Sequence, residues 1–167
     1  MKGKWGLFLA ASLLLLNIMS CTHAISREAR DMAVRDIPFQ WIAENPERYR
    51  GALVIWGGEV IESKNLREGT LIEVLQRPLG RSEKPDETKN SGGRFLVLYD
   101  AGFLDPSVFR RGTKITVAGV VEGKKVLQMG GMVRMGEVNY SYPYLMAREI
   151  HLWESDRFMD QYPYPYY

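Results

Sequence analysis

Few residues in this sequence are of a type and spacing that could carry out chemistry. The 167 residues include one cysteine, Cys21, and two histidines, His23 and His151. A structural zinc site takes four ligands, mostly cysteine and histidine, so a His/Cys zinc site is excluded. His151 lies in an apolar run, where we expect it to face outward from a strand or to be hydrogen-bonded there. We therefore predict no metal site.

Motifs of nucleophilic catalysis and phosphate binding are also missing from the sequence. It contains no Gly-x-Ser-x-Gly nucleophile elbow. Gly57-Gly58 is not followed by the Lys-Ser/Thr pair of a phosphate-binding loop and is interpreted as a bend. Asp100 and Asp105 flank a predicted turn, which is more typical of capping than of acid–base catalysis. We predict no enzymatic activity and no cofactor.

The side chain of Cys21 has a more specific chemical interpretation. A lone cysteine cannot form a disulfide within its chain, and an unpaired thiol in an exported protein requires an explanation. The sequence Ile18-Met19-Ser20-Cys21 resembles the lipobox of bacterial lipoproteins. This resemblance implies a thioether from Cys21 to diacylglycerol and an N-acyl chain on the same residue. The alternative is an unmodified cysteine after an ordinary cleaved signal peptide.

The residues before Cys21 have the composition of a secretory signal peptide. Lys2 and Lys4 give a positive start, and the 16 residues from 5 to 20 carry no charge. This stretch is shorter than the roughly 20 apolar residues that a membrane-spanning helix needs. We predict that residues 1–20 are a lipoprotein signal peptide. In Gram-negative lipoproteins, an aspartate after the cysteine signals inner-membrane retention, and its place is taken here by Thr22. The resemblance thus implies a lipid-anchored outer-membrane location.

The charge balance of the remaining chain argues against a nucleic-acid partner. Removal of residues 1–20 takes away two lysines and no acidic residue, which leaves 20 basic and 20 acidic residues. No block of like charge forms the basic surface that nucleic-acid binding needs. The remaining 147 residues are enough for one domain with an ordinary hydrophobic core.

The order of apolar patterns predicts a mainly β domain with short helical turns before it. Residues 21–36 are mixed and charged and predict a lipidated tether with some helix. Helical turns are predicted after Pro38 and at Asn45-Pro46. Strands are predicted over 52–62, 69–77, 94–99, 114–122 and 146–153, with a weaker hairpin over 126–133. Gly57-Gly58 and Gly119 mark candidate bulges or bends.

Five or six short strands in one domain favour a small antiparallel barrel over a sandwich. We place this barrel domain at residues 37–158. The polar segment 80–93, rich in Gly, Ser and Pro, predicts a mobile loop. Residues 159–167 predict a flexible Tyr/Pro tail, because alternating prolines cannot extend a helix or a sheet interior.

Several sequence blocks together resemble the Slp family of outer-membrane lipoproteins. They are Asn45-Pro46-Glu47-Arg48-Tyr49-Arg50-Gly51, Val54-Ile55-Trp56-Gly57-Gly58-Glu59-Val60-Ile61, Gln76-Arg77-Pro78-Leu79, Ser91-Gly92-Gly93-Arg94-Phe95, Gly112-Thr113-Lys114-Ile115-Thr116-Val117-Ala118-Gly119, Gly136-Glu137, Tyr142-Pro143 and Ile150-His151-Leu152-Trp153. The specificity lies in their joint order, from the lipobox to about Trp153. The resemblance implies a starvation-inducible, outer-membrane-anchored protein with an OB-type barrel and no established catalytic residue. The tail after Phe158 departs from the family pattern.

A stripe of aromatic residues gives one candidate ligand-contact face. Tyr140, Tyr142 and Tyr144 recur with a period of two and would share one side of an extended segment. On an OB-type barrel such a stripe could stack on sugars, whereas the alternative is that the tyrosines cover the barrel end. Pro143 favours an edge position.

Two functions follow from these observations. The first is a non-enzymatic structural or interaction role in the envelope, related to stress, with the membrane as a partner through the lipid anchor and an envelope protein as a possible second partner. The alternative is an OB-type module that binds a glycan or another small periplasmic ligand.

Overall fold

The computed structural model describes residues 23–128 and 139–153, and it confirms a mainly β domain with short helical turns at its start. Helices α1 (Arg27–Met32) and α2 (Phe39–Glu44) and a 3₁₀ turn (Pro46–Tyr49) precede the strands. The strands are β1 (Leu53–Leu66), β2 (Gly69–Arg77), β3 (Arg94–Tyr99), β4 (Lys114–Gln128) and β5 (Asn139–Trp153). The signal peptide, Cys21, the centre of the 126–133 hairpin and the tail at 159–167 lie outside the described residues.

The five strands close into a barrel in the order β1-β2-β3-β5-β4. Four neighbouring pairs are antiparallel, whereas β3 and β5 run parallel, with Leu96 opposite Tyr144 and Leu98 opposite Met146. A closed ring with an odd number of strands cannot reverse direction at every step, so one parallel pair is geometrically required. The strand order is compatible with the expected OB type.

The inward-facing side chains fill the barrel. Alternate residues of each strand point inward and are fully or almost fully buried: Val54, Val60, Ile72, Val74, Phe95, Val97, Ile115, Val117, Val121 and Leu145. Helix α2 closes one end by inserting Phe39 and Ile42 into this core. The Phe39 ring packs edge-on against Trp56 with 4.6 Å between the ring centroids. The inside of the barrel is therefore a packed core.

The glycines of β1 and β4 lie where the barrel wall bends or where strands approach closely. A Cβ at Gly58 would overlap the carbonyl oxygen of Leu75 on β2. The register of β1 against β2 shifts between Val60 and Glu62, so the bulge follows the glycine pair. A second register shift lies at Ala118/Gly119, as expected for Gly119. Strong local bending of this kind is what a barrel of few strands needs.

The described part of the predicted tether is packed on the barrel. Helix α1 follows Ser26, whose hydroxyl accepts a hydrogen bond from the Ala29 amide at 3.2 Å. Ile25 and Ala29 are buried on the outer side of β1 and β4, against Leu53 and Ala118. No helix within residues 23–128 and 139–153 is long and apolar enough to cross a membrane. The domain boundary at residue 36 stays a prediction.

The segment after β2, predicted as a mobile loop, is held by long-range contacts near its start. Leu79 pairs with Pro85 as an isolated bridge, and Pro85 is buried. The hydroxyl of Thr116 on β4 donates to the carbonyl oxygen of Glu83 at 2.6 Å. Composition alone predicted mobility, because polar residues dominate this loop. In the structure, a backbone carbonyl of the loop accepts a hydrogen bond from a side chain on the outer wall of the barrel.

Candidate functional site

The predicted lipidation site is close in sequence to the first residues that contact the barrel. Cys21 lies outside the described residues, whereas Ile25, four residues later, is 2% exposed. The Ile25 amide donates to Glu83 Oε2 at 3.0 Å. Ser26 donates to the Glu149 carboxylate through its amide at 2.9 Å and through its hydroxyl at 2.6 Å. Acyl chains on Cys21 would therefore be attached within a few residues of a fixed point on the barrel.

The structure places the tyrosines of the predicted ligand face in different environments. The side chain of Tyr140 lies outside the described part of the chain. Tyr144 is half-buried, and Lys125 Nζ lies 4.7 Å from its ring centroid. Tyr142 is 1% exposed, on the outer side of the wall formed by β2, β3 and β5. Three leucines pack with it: Leu71, Leu96 and Leu98. A ring buried to this degree cannot stack on a glycan, so Tyr142 fits the alternative in which the tyrosines are covered.

The phenol of Tyr142 instead takes part in a polar cluster. Its hydroxyl donates to Glu73 Oε1 at 3.1 Å, and Arg94 Nη1 donates to the same oxygen at 2.8 Å. Burial raises the pKa of Tyr142 above its ordinary value, and the negative charge of Glu73 acts in the same direction. The three residues stand on β5, β2 and β3, so the cluster joins three adjacent strands.

Two other residues considered for chemistry have structural roles. The His151 ring packs edge-on against Trp153, with 4.5 Å between centroids. Asp105 Oδ1 accepts a hydrogen bond from the Ser107 amide at 2.8 Å, which confirms its capping role. The hydroxyl and amide of Ser107 hold the pKa of Asp105 below its ordinary value. Within residues 23–128 and 139–153, no group of three or more His, Cys, Asp or Glu side chains could hold a metal ion.

A pocket of about 320 Å³ lies between the N-terminal segment and the rim of the barrel. Its lining comes from residues 33–39, β1, the end of β2 and the loop that follows β2. Phe39 and Trp56, 8% and 7% exposed, contribute only a small part of their core rings, and Arg35, Arg77 and Glu83 provide charged groups. Sequence reasoning missed this pocket because its lining comes from four separate segments, none of which carries a binding motif.

The charged groups of this pocket already have partners within the chain. Arg77 Nε donates to Glu59 Oε1 at 2.8 Å. Arg35 donates to the Arg30 carbonyl oxygen at 3.1 Å through Nε. Each guanidinium has further N–H groups beyond these bonds. The pocket thus combines a lining of mainly apolar residues with a few polar groups, as small-molecule sites do.

Comparisons with known proteins confirm the family resemblance. The model of the outer membrane lipoprotein Slp family matches residues 18–167. Outer membrane protein Slp of Escherichia coli (strain K12) is 32% identical over 124 residues, which is 73% of this chain and 63% of that protein. An uncharacterized protein of Haemophilus influenzae is 31% identical over 98 residues, or 58% of this chain and 49% of its own. The uncharacterized lipoprotein YeaY of Escherichia coli (strain K12) is 35% identical over 78 residues, or 47% and 39%.

The matches differ in how much of each protein they cover. This chain spans less than two thirds of the length of these curated relatives. No solved structure matches it. The family model, however, covers the whole sequence from the start of the lipobox to residue 167, including the tail after Phe158 that was expected to depart from the family pattern. The chain therefore belongs to the Slp family of outer membrane lipoproteins, and the outer membrane is its location.

Proposed function

We propose that acyl chains on Cys21 anchor this protein in the outer membrane and that its barrel acts there as a non-enzymatic interaction domain of the cell envelope. The packed barrel is the observation that carries this proposal. Its interior is filled by side chains such as Ile72, Phe95 and Leu145, and α2 closes one end. A small barrel filled in this way has no lumen for a ligand or a channel. The outer surface is what remains for contacts.

The anchor is tested by the intact mass of the protein extracted from membranes of its native host. We expect the mass of residues 21–167 plus diacylglycerol and one N-acyl chain, and recovery in the outer-membrane fraction. A Cys21→Ser variant is the control, because it removes the acceptor thiol and should be lost from the outer-membrane fraction. An unmodified mass for the unaltered protein would overturn the anchor.

The non-enzymatic role is tested by complementation of an envelope defect in a deletion strain. We expect full complementation by variants that remove polar groups of the pocket, such as Arg35→Gln, provided that their thermal stability is unchanged. An interaction domain that works through its outer surface does not depend on a single reacting group. Loss of complementation by such a stable variant would contradict the proposal and would favour a catalytic or ligand-binding pocket.

The pocket supports a second candidate function, the binding of a glycan or another small periplasmic ligand. Guanidinium groups beside apolar surface suit a sugar that carries a carboxylate. A suitable probe is the disaccharide of N-acetylglucosamine and N-acetylmuramic acid. Binding to the native state would raise the unfolding temperature, and the rise would continue with the logarithm of the ligand concentration above Kd. Val34→Trp, which adds an indole at the pocket lining, should abolish this shift.

A matched control for that substitution lies at the far end of β4. Val126 is exposed, as Val34 is, but it does not line the pocket. Val126→Trp should therefore keep the ligand-dependent shift. The ligand-binding function is contradicted if the unaltered protein shows no shift, or if both tryptophan variants behave alike.

A further inference from the structure

We propose that the first described residues form a short rigid link that holds one side of the barrel against the membrane. The link consists of residues 23–26, and the membrane-facing side consists of the start of α1 and the loop at residues 80–83. This inference rests on the proposed lipidation of Cys21 and adds an orientation to it. The partner is the lipid headgroup surface of the membrane that carries the anchor.

The attachment of the link to the barrel is the first step of the argument. Ile25 is 2% exposed, and its amide donates to Glu83 at 3.0 Å. Ser26 donates twice to Glu149, at 2.9 and 2.6 Å. Arg30 Nε adds an ion pair with Glu83 Oε1 at 3.9 Å. Two carboxylates, one on the loop after β2 and one on β5, thus hold two consecutive residues of the chain.

The length of chain between this attachment and the anchor is the second step. Cys21 precedes Ile25 by four residues. Four residues span at most about 14 Å even when fully extended. An acylated cysteine lies at the membrane surface, because its chains insert into the lipid. The barrel surface around Ile25 is therefore held within this distance of the headgroups, whatever the conformation of the residues between.

The location of the side of the barrel that lies far from the link is the third step, and it follows from the length of β1. Leu53 at the start of β1 packs against Ala29 and Ile25, whereas the strand ends at Leu66. At a rise of about 3.3 Å per residue, the path along the strand from Leu53 to Leu66 is about 43 Å, and the bend near the register shift at Val60 and Glu62 makes the direct distance shorter. Glu68 in the turn that follows β1 is exposed. Glu68 therefore serves as the labelling position far from the link. Arg81, which is exposed and close in sequence to Glu83, serves as the labelling position near the link.

The experiment compares these two positions in the lipidated protein. A thioether on Cys21 blocks its thiol, so a cysteine introduced by Arg81→Cys or by Glu68→Cys can be labelled alone. Each labelled protein is inserted into vesicles of phosphatidylethanolamine and phosphatidylglycerol that carry a headgroup energy acceptor. We expect stronger energy transfer from position 81 than from position 68. Equal transfer, with the lipid on Cys21 verified by mass, would overturn the inference.

A variant with a longer linker tests whether the short link, rather than direct lipid binding by the barrel surface, orients the barrel on the membrane. An insertion of about 15 Gly and Ser residues between Thr22 and His23 gives a flexible chain of about 20 Å r.m.s. span. We expect the difference between positions 81 and 68 to be lost in this variant. If position 81 still shows stronger energy transfer than position 68, the barrel surface binds lipid by itself. That result would contradict the proposal that the link sets the orientation. Absence of lipid on Cys21 would instead contradict the proposed anchor, so the two failures are distinguishable.

Discussion

Tyr142 and Glu73 stand on strands that are not neighbours, yet the Tyr142 hydroxyl donates to the Glu73 carboxylate at 3.1 Å. Strand β3 lies between them and contributes Arg94, which donates to the same carboxylate oxygen at 2.8 Å. Both bonds involve a charged acceptor, and Glu73 is largely buried. Bonds of this kind are stronger than those between neutral groups. The parallel pair β3–β5 is therefore reinforced from outside by a cluster that reaches β2.

Replacement of Tyr142 by phenylalanine should destabilise the barrel. The change removes one hydrogen bond to a charged acceptor, which we expect to lower the free energy of unfolding by about 1–2 kcal/mol. Denaturant unfolding followed by tryptophan fluorescence measures this. Tyr144→Phe on the same strand is the control and should change the free energy by less than about 0.5 kcal/mol. Equal effects of the two substitutions would count against the cluster.

Stability should fall as the pH rises above about 10, the ordinary pKa of a tyrosine. In the folded protein burial raises the pKa of Tyr142, with Glu73 adding to the shift. The unfolded state thus releases its proton first and binds fewer protons than the folded state, so the free energy of unfolding decreases with pH. Burial also raises the pKa of Tyr144. Tyr142→Phe should reduce the slope without abolishing it, and an unchanged slope in alkaline unfolding titrations would contradict this prediction.

Replacement of Glu149 by alanine should loosen helix α1 while leaving the barrel folded. Two hydrogen bonds from Ser26 are lost. A loss of about 1 kcal/mol raises the open fraction of the segment roughly fivefold. Trypsin should accordingly cleave faster after Arg27 and Arg30. Glu28→Ala, an exposed change in the same helix, should leave the cleavage rate nearly unaltered. A Glu149→Ala protein that resists trypsin as the unaltered protein does would show that apolar packing alone holds α1.

Substitution of Gly58 by alanine should be far more damaging than the same change at Gly80. A Cβ at Gly58 would overlap the Leu75 carbonyl and force β1 away from β2. Overpacking of this kind costs about 1–3 kcal/mol or more. A Cβ at Gly80 would have its nearest neighbour, the Lys84 carbonyl oxygen, at 3.5 Å, and Gly80 lacks a positive φ. Thermal unfolding of both variants measures this difference in stability. Equal unfolding temperatures would show that β1 and β2 shift to accept the added methyl group, which would contradict the prediction.

The sequence predicted well those features that depend on local patterns. The predicted strands 69–77 and 94–99 coincide with β2 and β3, whose side chains alternate or form a continuous apolar run. Strand β5 begins seven residues earlier than predicted, at Asn139, because it pairs with β4 as far as Gln128. Pairing of this kind stabilises a segment that contains Pro143 and has a weak pattern of its own. The predicted bounds therefore fail where a partner strand, rather than local sequence, decides.

For the candidate sites, too, local sequence predicted some features, whereas others depend on contacts that form only in the fold. A period of two correctly implied that Tyr142 and Tyr144 share one side of a strand, and both belong to the same outer cluster or pack against it. The period carries no information about what covers that side, so it could not decide between an open face and a covered one. The pocket beside Arg35 and Trp56 arises from segments that meet only in the fold. Lipidation of Cys21, read from a contiguous motif, stays a prediction that needs no tertiary information.

The bond between Ser26 and Glu149 also has a consequence for the order of assembly. Its partners are separated by 123 positions, and Glu149 belongs to β5, the last strand of the described residues, which closes the barrel between β3 and β4. Contacts between distant parts of a chain form slowly, because the intervening loop must close first. When the chain emerges N-terminus first, Ser26 is therefore present long before its acceptor Glu149. The side of the molecule nearest the anchor is completed last, when β5 enters the sheet.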